Sequence, residues 1–328
     1  MEYRQLGRTG LRLSAVGLGC GNFGGIGSLP SLFGQGENER EAHAILDTAD
    51  DMGINFFDTA NAYGGGRSEA YIGSWLRLRG SQVRQRILLS TKVFNRVGQG
   101  PNEAGLSRRH ILTQIEHSLQ RLRSDYVDMY LLHEPDWSTP VDETLRAFDD
   151  LLGQGKVRYI GASNVPAWFM AKALWLSDVH GWDRLAWVQN SFSLLDRADE
   201  REVLPLCAEH GLGYTPFSPL AGGWLTGKYQ RSGTYPAGSR MTLRPEPYTP
   251  WANEHTFTML ERLKAYAQQH GTDMAALALA WLLGHPQVTA PIVGPRKPEH
   301  LETVRQAIQL QLSDSERDEI AAIFEEAP

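Results

Sequence analysis

The chain has 328 residues, 41% of them hydrophobic, and a formal net charge of -6 with acidic and basic side chains interspersed. No basic stripe is long enough to neutralise a phosphate backbone, so a nucleic-acid partner is not expected. Early charges in MEYRQLGRTG argue against a secretory leader, no apolar run reaches membrane-spanning length, and the only cysteines, Cys20 and Cys207, cannot build a disulfide framework. The expectation is a cytoplasmic chain with neither a nucleic-acid nor a membrane partner.

In chain order, an amphipathic start that can form a small hairpin precedes eight short β-rich runs, at residues 15–19, 54–58, 87–92, 126–133, 157–163, 185–190, 212–217 and 288–294. Longer stretches with apolar residues at helical spacing separate them. Helix starts are marked by Asn38 with Glu41, by Ser107 before Ile111, Ile115 and Leu119, and by Thr139 followed by Pro140 and Asp142. The length admits two ordinary domains or one large barrel. Eight βα repeats without a change of composition favour one α/β unit over residues 1–328: a closed (βα)8 TIM barrel with an N-terminal β-hairpin. An open doubly wound sheet is the alternative. The connections after strands 1 and 7, residues 21–36 and 218–253, exceed ordinary loop length, and loops of that size are usually functional.

In a parallel barrel, chemistry gathers where the strands end. Here those ends deliver Asp58, Lys92 and His133, then Ser163 with Asn164, Gln189 with Asn190, Phe217 with Ser218, and Gly294 followed by Arg296 and Lys297. Singly, each has an ordinary explanation: Asp58 caps a turn, His133 satisfies a carbonyl, Lys92 is a solvated strand end. Jointly, with Tyr63 nearby, they form a proton-transfer set. A tyrosine that exchanges protons near neutrality needs a cation to stabilise its phenolate, and a buried lysine needs a carboxylate to stay charged. Lys92 and Asp58 fill those roles, and His133 can orient a substrate oxygen through either tautomer.

The run Phe57-Asp58-Thr59-Ala60-Asn61-Ala62-Tyr63-Gly64, with Ser68-Glu69 following, resembles the aldo-keto reductase family. In the same order stand Tyr3-Arg4-Gln5-Leu6-Gly7, Gly17-Leu18-Gly19, Ser90-Thr91-Lys92-Val93, Leu131-Leu132-His133, Gly161-Ala162-Ser163-Asn164, Gln189-Asn190, and Pro219-Leu220-Ala221-Gly222-Gly223 leading to Leu225-Thr226-Gly227-Lys228. The resemblance spans nearly the whole chain. It implies Tyr63 as general acid, Lys92 and Asp58 as the groups that tune it, and His133 as the substrate-orienting residue. It implies further that Ser163, Asn164 and Gln189 hold a nicotinamide carboxamide while Phe217 stacks on the ring, where many relatives carry tyrosine or tryptophan. Ser218, Leu220, Gly222 and Lys228 then belong to a loop over the cofactor pyrophosphate, and Gly294, Arg296, Lys297 and His300 to a site for the adenosine 2′-phosphate, favouring NADP over NAD. Thr303 and Val304 stand where many members place adenine-contacting glutamate and asparagine, and His300 replaces a frequent glutamine. Little chain follows the helix beginning near Ser313, so a relatively open pocket is expected.

Other patterns carry less. Gly19-Cys20-Gly21-Asn22-Phe23-Gly24 satisfies G-x-G-x-x-G, but residues 25–36 contain Pro30 and Gly34 and no helix opens on the glycines, so Asn22 and Phe23 read instead as lining a substrate mouth. His133-Glu134-Pro135-Asp136 has ligand types without helical spacing or a second cluster, and no metal is expected. Trp168, Trp175 and Trp281 fall in helical patterns that predict core packing; Trp137, Trp224 and Trp251 fall in loops as candidate pocket residues.

The expected function is NADPH-dependent reduction of a small aldehyde or ketone, reversible as alcohol or sugar oxidation, with hydride from nicotinamide and a proton from Tyr63. The alternatives are a nicotinamide-binding regulatory subunit with slow turnover, similar to channel-associated members of the superfamily, and a non-redox enzyme on the same scaffold. These motifs specify neither the natural substrate nor an oligomeric state.

Overall fold

The computed structural model describes residues 1–325. Strands β1 (Tyr3–Gln5) and β2 (Arg12–Ser14) pair antiparallel as the expected hairpin. Eight parallel strands follow: β3 (Gly17–Gly19), β4 (Phe56–Asp58), β5 (Leu88–Val93), β6 (Val127–Leu132), β7 (Val157–Ser163), β8 (Trp187–Gln189), β9 (Gly213–Tyr214) and β10 (Ile292–Val293), in the order β10-β3-β4-β5-β6-β7-β8-β9. Pro216 and Pro291 have no N–H to give, which interrupts the ladder between β9 and β10. Thr289 N–H still donates to Tyr214 O and Ile292 N–H to Pro216 O, both at 2.8 Å, and these bonds close the ring. The fold is the α/β (βα)8 barrel that the alternating pattern predicts.

The outer layer comprises α1 (Glu39–Asp51), α2 (Arg67–Arg79), α3 (Ser81–Arg86), α4 (Arg108–Leu122), α5 (Val141–Gly153), α6 (Ala167–His180), α7 (Val203–His210), α8 (Arg240–Leu243), α9 (Glu254–Gln269), α10 (Met274–Leu283), α11 (Leu301–Gln309) and α12 (Asp314–Ala322). Asn38 and Glu41 form a reciprocal capping box on α1, and Ser107 accepts the His110 N–H to cap α4. Thr139 does not cap α5. The helix begins one residue later than that cap would set it, with Pro140 at the N-cap position, and the Thr139 hydroxyl donates to Asp136 Oδ2 at 2.7 Å.

Two layers of apolar packing hold the barrel. One fills the space between strands and helices. The other fills the lumen: Phe56, Met129, Leu131, Trp187 and Ile292 project inward from β4, β6, β8 and β10, while Leu6 and Leu13 of the hairpin plug the floor. The intervening strands make room with glycine. A Cβ on Gly17 would lie 2.5 Å from the Phe56 ring, and one on Gly161 2.5 Å from Trp187. Bulky and empty positions thus alternate around the ring and bring the strands to full closure.

Strand alternation sorts the polar residues as well. On β5, Ser90 and Lys92 point into the lumen, while Thr91 points out and donates to Glu69 Oε1 on α2 at 2.6 Å. Register sets Asp58 beside Ser90 and Ser163 beside Gln189, so the polar end of the lumen is assembled by the ladder itself.

Candidate active site

Asp58 ends β4, Lys92 lies near the end of β5, and His133 follows β6. Lys92 is 1% exposed. Its Nζ donates to Asp58 Oδ2 at 2.5 Å and to Thr59 O at 2.8 Å. Ser90 Oγ and Gln189 Nε2 donate to Asp58 Oδ1 at 3.0 and 3.1 Å, so both carboxylate oxygens are satisfied. Burial works against the lysine charge, but Asp58 and Tyr63 next to it outweigh that cost and hold its pKa above the usual lysine value. Lys92 therefore keeps its proton.

Tyr63 reaches this group from the turn after β4. Three glycines follow it with φ of 58, 69 and 90°, a left-handed run that only glycine adopts without strain. A Cβ at Gly64 would lie 2.6 Å from Phe23 O, so the turn also depends on close backbone approach. Lys92 Nζ lies 5.1 Å from the Tyr63 ring centroid, and Tyr63 OH is 3.3 Å from His133 Nε2. Burial raises the Tyr63 pKa above its ordinary value, and the opposing pull of Lys92 does not cancel it. The phenol is therefore neutral at neutral pH, the form that the expected general acid needs, and Lys92 opposes the burial cost of its ionised form.

Burial, with the charges of Lys92 and Arg244, keeps the His133 pKa well below the usual histidine value, so the ring is neutral. Asn95 Nδ2 lies 3.0 Å from His133 Nδ1. An amide donor at Nδ1 places the ring hydrogen on Nε2, facing Tyr63 OH and any oxygen bound beside it. Asn95 decides the tautomer that the sequence left open. It was missed although it follows the end of β5, a rim position where polar residues carry weight.

The residues expected around a dinucleotide occupy the same rim. Ser163 and Gln189 are buried, and Asn164 Nδ2 donates to His133 O at 2.9 Å and Ser163 Oγ at 3.1 Å. Phe217, Ser218 and Leu220 are half-buried at the mouth of β9. Asn164, Ser218 and Ala221 have φ of 56, 55 and 49°; of the four non-glycine residues with positive φ among those described, only Arg123 lies elsewhere, at the C-cap of α4. Such backbone conformations cost energy and persist where a site requires them. Gly222 and Gly223 lie between Tyr248 and Lys228, with no room for a Cβ.

Beyond them stand Lys228, Arg240 and Arg296. Burial, with the neighbouring charges of Arg240 and Arg296, lowers the Lys228 pKa. Burial, with Arg244 and Arg296, likewise lowers that of Arg240. Arg296 Nε pairs with the buried Glu37 at 2.7 Å and its Nη1 donates to Gly238 O at 2.6 Å, while its backbone N–H donates to His300 Nδ1 at 3.2 Å. Gly294, Lys297 and His300 are exposed beside it. Three cations facing one carboxylate leave a local excess of positive charge, which suits the phosphates of a dinucleotide. Arg240, which also bonds Asn22 Oδ1, escaped the sequence reading; its signal was a cation in the long loop after β9.

Several expectations fail for identifiable reasons. Phe23 is fully buried in the core rather than at a mouth, because the loop after β3 folds back through the bridges Phe23 to Glu37 and Gly25 to Phe33. Asn22 is 4% exposed and tied to Arg240. Trp168 and Trp175 are 57% and 60% exposed, since α6 buries the opposite face through Phe169, Met170, Ala173, Leu174 and Ser177; Trp281 is buried as predicted. Trp224 packs in the core against Tyr229, Tyr235 and Phe257, while Trp137 lies exposed and stacked on Trp168. Trp251 is half-buried against Tyr248. No helix opens on Gly24, and the first α-helix begins at Glu39. Asp136 accepts from Leu106 N, Ser138 N, Ser138 Oγ and Thr139 Oγ1; these bonds, against a burial cost, bring its pKa down to about 2. Cys20 and Cys207 are free and buried, and among the described residues no helix is long and apolar enough to cross a membrane.

A barrel whose rim joins a buried lysine–carboxylate pair to a tyrosine and a neutral histidine defines an oxidoreductase class in which carbonyl groups are reduced. The chain belongs to the aldo/keto reductase family, whose model matches residues 15–325. It is 40% identical over 320 residues to the uncharacterized oxidoreductase YrpG of Bacillus subtilis strain 168, covering 95% of this chain and 92% of that one. It is 37% identical to a probable voltage-gated potassium channel subunit beta of Oryza sativa subsp. japonica, covering 100% and 98%, and 32% identical to the versiconal hemiacetal acetate reductase of Aspergillus parasiticus, covering 96% and 95%.

Proposed function

We propose that this protein is an NADPH-dependent reductase of a small aldehyde or ketone, with Tyr63 as proton donor and residues 1–328 acting as one catalytic unit in the cytoplasm. The observation that carries the reading is the continuous path from Asp58 through Lys92 and Tyr63 to His133, with Lys92 Nζ 2.5 Å from Asp58 and Tyr63 OH 3.3 Å from His133 Nε2. When bound, NADPH supplies a hydride to the carbonyl carbon.

The protein's part is to place and protonate the carbonyl oxygen. His133 Nε2–H donates to that oxygen, and Tyr63, kept neutral by burial, lies beside it with its own proton. As negative charge develops on the oxygen, Tyr63 transfers the proton and becomes tyrosinate, which the Lys92 ammonium stabilises. Asp58 keeps Lys92 charged throughout. Proton uptake from water restores Tyr63, and hydride plus proton complete the alcohol.

For the cofactor, Lys228 and Arg240 suit the pyrophosphate, and Arg296, Lys297 and His300 suit a 2′-phosphate, which supports NADP over NAD. The polar side chains of Ser163, Asn164 and Gln189 suit a carboxamide, and the Phe217 ring suits stacking.

The test is NADPH consumption with a panel of aldehydes and ketones, for wild type and Tyr63→Phe. Turnover is expected, and the substitution should lower kcat by about 10²- to 10⁴-fold with NADPH affinity retained. The similarity to plant channel subunits supports one other reading, a cofactor-sensing subunit; tight NADPH binding without turnover of any carbonyl would establish it instead. Failure to bind NADPH would refute both.

A further inference from the structure

The segment after β9 carries two cations that the phosphate cradle does not use: Arg231, which pairs with Glu254 and Glu261, and Arg244. Arg244 lies at the C-cap of α8, its backbone N–H donating to Arg240 O at 2.8 Å. Pro245 follows, and its carbonyl accepts from Tyr248 N at 2.8 Å and Thr249 N at 2.9 Å, so the backbone is pinned on both sides. The Arg244 side chain is half-buried, and among the described residues its guanidinium has neither an ion-pair nor a hydrogen-bond partner. A partly desolvated charge without a counter-ion is costly, and an anion that binds there recovers that cost.

The guanidinium extends toward the loop beside Tyr63. A Cβ at Gly27 would lie 2.9 Å from Arg244 Nη1. Gly27 N–H donates to Gly21 O at 2.7 Å, Gly64 N–H donates to Gly27 O at 2.9 Å, and a Cβ at Gly21 would lie 3.5 Å from the Tyr63 ring. Arg244 therefore rests on the loop that walls the proton-donating tyrosine. Its charge is felt at both Tyr63 and His133, after the larger effects of burial and Lys92 and, at Tyr63, of Asp58. Arg244 stands one helical turn from Arg240 and adds to the positive charge felt there, but Arg240 bonds Asn22 and Arg296 bonds Glu37, whereas Arg244 extends toward Gly27.

We infer that Arg244 anchors an anionic group of the substrate, so that the carbonyl compound reduced here carries a carboxylate or a phosphate. The inference rests on the carbonyl-reductase reading above. A guanidinium meets either oxyanion through two parallel hydrogen bonds, which ties one end of the substrate while His133 and Tyr63 hold the carbonyl oxygen.

The experiment compares matched substrate pairs with NADPH: 4-carboxybenzaldehyde against its methyl ester, and glyceraldehyde 3-phosphate against glyceraldehyde. Wild type is expected to prefer the charged member of at least one pair, and which pair responds tells carboxylate from phosphate. In Arg244→Gln the charged-to-neutral ratio of kcat/KM should fall by about ten- to a hundredfold, with the loss in KM, and Arg244→Lys should recover part of it. NADPH binding, read by quenching of tryptophan fluorescence, should be retained. A ratio that moves less than about threefold, or a matching loss of NADPH affinity, would overturn the inference. Wild type that reduces neutral members without preferring charged ones refutes the anchor and leaves carbonyl reduction standing. Wild type that binds NADPH and reduces no member refutes the underlying reading, and the anchor with it.

Discussion

Replacing Asn95 with aspartate tests whether the hydrogen bond at His133 Nδ1 sets the chemistry at the other ring nitrogen. In the native site the Asn95 amide, 3.0 Å away, donates to Nδ1 and leaves the hydrogen on Nε2. A carboxylate can only accept, so the variant draws the hydrogen to Nδ1 and turns a lone pair toward the substrate oxygen. One hydrogen bond to a developing oxyanion is lost, a penalty of about 2–4 kcal/mol, or about 30- to 1000-fold in kcat/KM. The carboxylate also raises the proton affinity of His133. As pH falls, more of the variant carries both ring hydrogens and regains the Nε2 donor, so its activity relative to wild type climbs toward acid. Asn95→Leu, which offers neither donor nor acceptor, should lose only about 2- to 12-fold, as for a single neutral hydrogen bond. Steady-state kcat/KM across a pH series is the measurement. An aspartate variant within threefold of wild type at neutral pH, or one whose relative activity falls toward acid, would refute the reasoning.

Arg296→Ala should raise KM for NADPH by about tenfold and change KM for NADH much less, since only the former carries a 2′-phosphate; equal effects on both would remove Arg296 from that role. Trp168→Ser and Trp175→Ser should each shift urea-unfolding stability by about 0.5 kcal/mol or less, because both rings are mostly exposed, whereas Trp281→Ala, which empties a core position and frees Arg317 O, should cost about 3–5 kcal/mol. His285 has its pKa brought down from 6.5 to about 4 by burial and by Arg317. A histidine of lowered folded-state pKa takes up its proton more readily when unfolded, so stability should decline as pH falls from 6.5 toward 4, and His285→Gln should make that decline shallower in a thermal-melt series.

The barrel was legible because its strands carry two kinds of signal at once, an apolar run and a polar last residue. INFFD ends at Asp58 and ILLSTK at Lys92, and both ends are correct or within one residue of the observed strand. Legibility fades where proline removes ladder bonds: the runs 212–217 and 288–294 shrink to Gly213–Tyr214 and Ile292–Val293. The tryptophans of α6 misled because helical spacing shows that a face exists without showing which face turns inward. The strain at Ser218 and Ala221 has no counterpart in residue type, since serine and alanine do not announce a positive φ. Asn95 and Arg240 were passed over for another reason: their meaning depends on what they touch, His133 in one case and a buried asparagine in the other.

The seam between β9 and β10 has a consequence for how the molecule breathes. The six strands from β3 to β8 carry Asp58, Lys92, Ser163 and Gln189 and hold the lead into His133, and they are joined by continuous ladders. The long segment after β9 and the 294–300 stretch after β10 spring from the two shortest strands, on either side of a junction stitched by a few amide bonds around two prolines. Amide hydrogen exchange should therefore be fastest, within the sheet, at Thr289 and Ile292. On the proposed reading, a dinucleotide is then admitted and released by movement confined to one arc of the ring while the proposed proton path, on the opposite arc, keeps its alignment from one turnover to the next.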